Sequence, residues 1–430
     1  MRRLSVLMAV MLSIVSMTTG CGNDGIIDNQ GNVGRLGDNP DKTVVVWHTY
    51  SDEETRVFEQ LVVPAFEKEH PHIHIESVRQ EYNQEYQAAL VARASADKPP
   101  DVVRMDISWV PSFAERGLLY PISRFSDFRE TAAQLRGDTL SASQYEEDVY
   151  GLPLNINTKA AIYNRALLDK LGLNAESASL TEVVEAAKKH RLVLGMSGIE
   201  LWASLPYFFG LGGKLADEHF TQTAGYFNSE ESVLAAETLL RLYKEKVINP
   251  AMFTGSADLW NDIQSENKSL LMIDEGPWYY SILLNSKNLK TDLLTATDPE
   301  PFPRGESRFG SVIGGENLVL TKGSRVKDEA WTFMKWMMRK DTQQMLFHTG
   351  LIPTNMEAFR DSAAVREKNP YIDAYMKGIE EAFYRPAIPQ WSRIEQIYND
   401  AMEDIFIKGR PAKEALDEAA AKMDRALAEK

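Results

Sequence analysis

The sequence predicts an α/β fold built as two doubly wound lobes, and three observations carry that expectation. Short β-branched runs alternate with amphipathic helical stretches from Thr43 onward. The β-α-β-α-β order across Thr43–Asp106 calls for a mostly parallel sheet covered on both faces. A second αβ series follows Tyr150, and 430 residues suffice for two or three domains.

The elements follow in order. "TVVVWHTY" (Thr43–Tyr50) is β-branched and short, hence a buried strand. Ser51 and Asp52 are placed to cap the next helix, in which Val57, Phe58, Leu61, Val62, Ala65 and Phe66 recur on one face. Pro64 is expected to kink its last turn. "HPHIHIESV" reads as a second strand, "QEYQAALVARASAD" as a helix and "PDVVRMD" as a third strand. Further helices are expected near 164–171, 179–189, 230–246, 257–266, 325–338, 341–347, 371–381, 391–407 and 411–428, with strands at "SLLMID" and "NLVLT".

The N-terminus reads differently. Arg2 and Arg3 precede an apolar run from Leu4 to Val15 and then small residues, which is the pattern of an export signal over residues 1–20. The signal runs into Cys21, the only cysteine in the chain, so no internal disulfide is possible. Thr18-Thr19-Gly20-Cys21 resembles the lipobox of bacterial lipoproteins, which implies a diacylated, membrane-anchored Cys21. Two acyl chains anchor stably where one is marginal. Residues 21–40 are rich in Gly, Asn and Asp and read as a flexible tether. The expected location is the cell membrane, on its extracytoplasmic face.

The composition also excludes partners. A net charge of −15 argues against nucleic acid, whose binders carry a basic footprint. No G-x-S-x-G, Walker loop, H-E-x-x-H or dinucleotide fingerprint occurs, so neither catalysis nor a cofactor is expected. "HPHIH" offers His70, His72 and His74 to a metal, but no Cys or further His cluster completes a site, and an exposed strand edge is the preferred reading. Asp52, Asp106, Asp274, Glu275 and Glu316 fall at strand ends or turns. They could serve as glycosidase carboxylates, as helix caps, or as acceptors for ligand hydroxyls beside aromatic rings. The last fits "LLMIDEGPWYY" best, where an apolar run meets two acids, a Gly-Pro turn and three aromatics.

Several stretches together resemble the extracellular solute-binding proteins of bacterial ABC transporters, in particular the maltose-binding-protein-like sugar binders. They are "FEKEHPHIHIE", "KPPDVVRMDISWVPSFAERGLLYPIS", "YGLPLNINTKAAIYNRALLDKLGL", "ENKSLLMIDEGPWYY", "IGGENLVLTKGSRVKDEAWTFMKWM" and "GRPAKEALDEAAAKMD", covering nearly all of residues 43–426. The resemblance implies a periplasmic-binding-protein-like fold of type II with a ligand cleft between the lobes. It implies a first lobe of residues 41–155 and 300–347 and a second of 156–299 and 348–430.

The resemblance also implies ligand-binding residues. Trp278 stands where the family has its stacking Trp after Gly-Pro, whereas Tyr279 and Tyr280 are expected to pack. At least one of Trp47 and Tyr50 should face the cleft. Asp106 stands where a hydroxyl-binding acid is common, with Trp109 near enough to stack. Asn155 and Asn157 lie at the crossover, where maltose binders have an acid. Tyr207 matches a second-lobe aromatic, Asp274 ends its strand beside Trp278, Glu316 sits on a Gly turn, and Trp391 is close to a further aromatic position. The implied function is capture of a sugar or oligosaccharide by a monomeric, lipid-anchored receptor that delivers it to an ABC permease, with no reaction catalysed. A secreted carbohydrate-active hydrolase and a metal-capture lipoprotein are the alternatives.

Overall fold

The computed structural model describes residues 41–255, 258–286, 292–305, 307 and 309–429. The export signal, Cys21 and the tether lie outside the described residues. Two mixed sheets organise the chain. The first has the order β12-β6-β11-β3-β1-β2, from β1 (Lys42–His48), β2 (Ile73–Arg79), β3 (Val102–Asp106), β6 (Gly151–Thr158), β11 (Ile313–Leu320) and β12 (Ile352–Pro353). The second has the order β10-β7-β9-β8, from β7 (Ala160–Asn164), β8 (Val193–Gly195), β9 (Leu270–Glu275) and β10 (Thr297–Pro301). A short ribbon pairs β4 (Gln144–Tyr145) with β5 (Asp148–Val149).

The parallel expectation holds for β1 with β2 and β3, and for β8 with β9. It fails at β6, β7, β10, β11 and β12, which pair antiparallel. β7 and β11 each arrive directly from a strand of the other sheet, with no crossover helix of the kind that parallel pairing needs.

Alternation along β1 covers both sheet faces. Val44 and Val46 join the core under the helix Lys327–Met337, while Val45 and Trp47 face the helix Gln84–Ser95. Ser51 and Glu54 form a reciprocal capping box on the helix Asp52–Val57. Upstream of Pro64 the helix widens into a π-type turn over Phe58–Val62, with the Val63 N–H bonded to Phe58 O. Pro64 has no N–H for the carbonyl four residues back, and the wider turn absorbs the loss where a kink was expected. Most expected helices are present within a few residues, but the one expected over 257–266 shortens to Leu259–Asp262.

The chain passes between the sheets between β6 and β7, where only Lys159 intervenes, and again between β10 and β11. β6 stays in the first sheet through Thr158, β10 stays in the second through Pro301, and β12 belongs to the first.

Candidate solute-binding site

Where the sheets adjoin, three cations meet three carboxylates. Arg104 on β3 pairs with Glu316 on β11 at 2.8 Å, and Asn155 on β6 donates to the same carboxylate at 2.6 Å. Strand register produces this cluster, since Glu316 lies opposite both Asp106 and Asn155. Gly315 makes it possible: its φ of +140° and its approach to the Asn155 carbonyl leave no room for a side chain. Burial raises the Glu316 pKa, against the opposing pull of Arg104.

Asp106 ends β3 and caps the short turn Ile107–Trp109 through the Ser108 N–H at 2.8 Å. It also accepts from Ser108 Oγ at 2.6 Å, from the Tyr82 hydroxyl at 3.1 Å and from Arg385 at 3.1 and 3.3 Å. Arg385 further donates to the Ile313 carbonyl and to Ser108 Oγ, both at 3.1 Å. Lys159, between β6 and β7, pairs with Asp274 on β9, whose other oxygen accepts from Tyr207 at 2.9 Å.

Aromatic rings flank these pairs. On one side Tyr82 and Trp109 stack at 5.8 Å and 14°. On the other Trp202 and Trp278 lie 6.4 Å apart. Asp106 and Arg385 join the two sides, because Asp106 holds the Tyr82 hydroxyl and Arg385 lies 5.8 Å from the Trp202 ring. Trp109, Trp202 and Trp278 are all partly exposed, as rings that meet a ligand must be. The buried Asn157 Oδ1 has no hydrogen-bond partner, and it lies beside Gly314 close to the Trp202 ring. An acceptor left without a donor in that position suits a ligand hydroxyl.

Of the expected ligand residues, the structure brings Asp106, Trp109, Asn155, Asn157, Trp278 and Glu316 into this region, with Asn155 bonded beneath the surface. Five are placed elsewhere or sealed. Trp47 packs on Tyr86 with its centroid 6.3 Å away, because it points to the helix side of β1. Tyr50 is buried under the Arg104 guanidinium, 4.6 Å from its ring. Tyr207 and Asp274 are buried and satisfy each other and Lys159. Trp391 is fully buried in the second-sheet core against Phe220 and Phe383. Tyr279 and Tyr280 pack, as expected. Asp52 makes a surface ion pair with Arg79 at 2.6 Å.

Sequence reasoning missed Tyr82, Trp202, Glu275 as an indole acceptor, and Arg385. Trp202 carried a signal, an aromatic in the same "LWASLPYFFG" helix as Tyr207. Arg385 carried none. The three histidines have separate surroundings: His70 lies on Phe66, His72 is near Asp41, and His74 contacts Glu67 at 2.7 Å. Among the described residues no group of three or more His, Cys, Asp or Glu is placed to hold a metal.

Two α/β units with polar and aromatic groups converging at their junction define a solute-binding architecture, and the chain belongs to the bacterial extracellular solute-binding protein family, whose pattern matches residues 62–370. It is therefore a binding protein and not an enzyme, and its place is outside the cytoplasm. Among its relatives is the maltotriose-binding protein of Pyrococcus abyssi, 22% identical over 84% of this chain and 78% of that protein. Another is the melibiose/raffinose/stachyose-binding protein MelE of Bacillus subtilis, 22% identical over 86% and 87%. Among solved structures, the GacH receptor of Streptomyces glaucescens, known unliganded and with acarbose, superposes with a TM-score of 0.77 at 24% identity, covering 90% of this chain and 99% of that one. Maltose-bound MalE3 of T. maritima gives 0.77 at 19% identity, covering 89% and 99%. These matches establish the two-lobed type II binding-protein fold.

Proposed function

We propose that this protein captures a sugar or oligosaccharide between its two lobes and delivers it to the permease of an ABC importer. The observation that carries the reading is the partly exposed indole pair Trp202 and Trp278 beside the unpartnered Asn157 Oδ1. Sugars present C–H faces and hydroxyl edges. A ring covers the face, and a few fixed polar groups satisfy the edge. The named relatives that bind maltotriose, melibiose, raffinose or stachyose support the same class. In this reading the first lobe comprises 41–158, 302–353 and the second 160–301, 354–429, with the three passages near Lys159, between β10 and β11 and after β12 as hinges, and ligand binding favours a closed arrangement. The working unit is a monomer.

A thermal-shift series with maltotriose, raffinose, stachyose and melibiose tests it. A ligand bound only by the folded state raises the melting temperature with concentration. No shift with any neutral mono- or oligosaccharide at millimolar concentration overturns the sugar reading.

The same proposal places the receptor on the membrane through a diacylated Cys21. The support is the position of a lone cysteine directly after an export signal. Cys21→Ser should release the protein into the medium or leave it unprocessed. A variant that is cut correctly and stays on the membrane refutes the anchor.

A further inference from the structure

The proposed role of Trp278 raises the question of what aims its ring. Trp278 opens the helix Trp278–Leu284, directly after β9 and a Gly-Pro turn. Its Nε1–H donates to Glu275 Oε2 at 3.0 Å, while the Nε1–H of Trp260 donates to Glu275 Oε1 at 2.9 Å. One carboxylate therefore holds two indoles, one per oxygen. Trp260 is fixed in turn: its carbonyl accepts from the Tyr279 hydroxyl at 3.2 Å and from Gln264 at 2.8 Å, and the Tyr279 ring meets its own edge-on at 5.4 Å.

Gly276 supplies the space. A Cβ there would overlap Cε3, Cζ3 and Cη2 of the Trp278 ring, so the indole is folded back over the glycine toward Glu275. The backbone at that point has little freedom to yield. The Gly276 carbonyl accepts from the Tyr375 hydroxyl at 3.0 Å and from the Tyr279 N–H at 3.1 Å. Pull from Glu275 and clearance at Gly276 thus act on the same ring from two sides.

We propose that Glu275 is a positioning residue for ligand binding: its carboxylate sets the pitch of Trp278 by gripping Trp260 and Trp278 together, with Gly276 as the clearance that permits it. This rests on the reading of Trp278 as a ligand-stacking ring. Each oxygen of Glu275 holds one indole, so the carboxylate acts on the ligand through the Trp278 ring. A carboxylate accepts on both oxygens, whereas a glutamine turns one of them into a donor that faces an N–H. Glu275→Gln keeps the size and must release one indole.

The test uses the mature protein with indole N–H signals in a nitrogen-15 proton spectrum, assigned through Trp278→Phe and Trp260→Phe. Glu275→Gln should shift the Trp278 or the Trp260 signal, and Glu275→Ala both, with the five tryptophans other than the neighbouring Trp202 unmoved. Calorimetry with maltotriose and raffinose as probes should show at least a fivefold loss of affinity for Glu275→Gln and for Gly276→Ala, which keeps the acid but expels the ring. Unshifted indole signals in Glu275→Ala overturn the clamp. Unchanged affinity in Glu275→Gln and Gly276→Ala, while Trp278→Ala binds weakly, overturns the positioning role alone. Unchanged affinity in Trp278→Ala, or no binding of any neutral mono- or oligosaccharide to the wild type, overturns instead the reading of the site on which it rests.

Discussion

Lys159 and Asp274 form an ion pair with almost no exposure to water, 2% for the lysine and none for the aspartate, at the point where the chain leaves the first sheet. Burial raises the Asp274 pKa to about 6, and Lys159 only partly offsets it. An acid whose folded pKa lies above its unfolded value near 3.9 binds more protons folded than unfolded between those limits. Its contribution is thus fully present at low pH and is lost as pH rises toward 6, by about 3 kcal/mol in total. Removing the lysine sharpens this. Lys159→Met should destabilise by about 3–5 kcal/mol at pH 8, where Asp274 stays charged and unpaired, and by clearly less at pH 5, where it takes up a proton. Urea unfolding at the two pH values measures it; equal losses at both would show that Asp274 does not titrate with the pair.

His48 has the opposite sign. It is fully buried, its Nδ1 accepts from the Tyr50 N–H at 3.3 Å, and its other nitrogen meets Ser77 Oγ at 2.8 Å. Burial, with Arg104 and Arg79 nearby, lowers its pKa to about 3. A base whose folded pKa is depressed gives stability that is complete above its unfolded value near 6.5 and is lost as pH falls toward 3, at up to about 1.4 kcal/mol per pH unit. His48→Gln should be less stable than wild type at pH 7 and should lose less stability between pH 6 and pH 4. Parallel acid limbs for the two proteins would contradict this.

Long periodic elements were legible in the sequence because a single face decides them. The helices Trp391–Phe406 and Ala412–Ala428 appear nearly as expected. Their apolar stripe also carried information that family resemblance overrode. Trp391, Ile394, Ile397, Tyr398, Ala401, Met402 and Ile405 follow one helical face, which marks Trp391 as a core residue and not a cleft aromatic. Strand direction was less legible, because β6, β11 and β12 arrive from distant parts of the chain and their antiparallel pairing has no local signature. The partner of Asp106 was illegible for the same reason: Arg385 lies in an irregular stretch far along the chain, and only the fold brings it there.

That pairing gives a third prediction. Among the described residues Arg385 is the side chain ion-paired with the buried Asp106, so Arg385→Met leaves an uncompensated charge and should cost about 3–5 kcal/mol of stability. Asp106→Asn in the same chain should recover much of that loss, because an amide needs no counter-charge, its oxygen keeps the Ser108 donors, and the Tyr82 hydroxyl can turn to accept from its NH2. A double-mutant cycle by denaturant unfolding reads the coupling directly. Additive losses would mean that the pair does not act as a unit.

The last prediction separates the two tryptophans that resemblance had placed together. Trp391 has no exposure and packs against Phe220 at 5.7 Å and Phe383 at 6.2 Å. Trp278 is partly exposed, beside Trp202 and bonded to Glu275. Trp391→Ala empties a core site and should lower folding stability by about 3–5 kcal/mol. The protein that remains folded should bind the proposed sugar ligand nearly as before. Trp278→Ala removes a ring from the proposed ligand surface, and binding should weaken at least tenfold, or about 1.4 kcal/mol, with a much smaller change in the ligand-free melting temperature. Calorimetry and thermal unfolding on the two variants form a crossed design, in which each should lose what the other keeps. If Trp278→Ala melts early and its folded fraction binds normally, Trp278 is a packing residue, and the ligand surface must be sought at Trp202, Trp109 and Tyr82 without it.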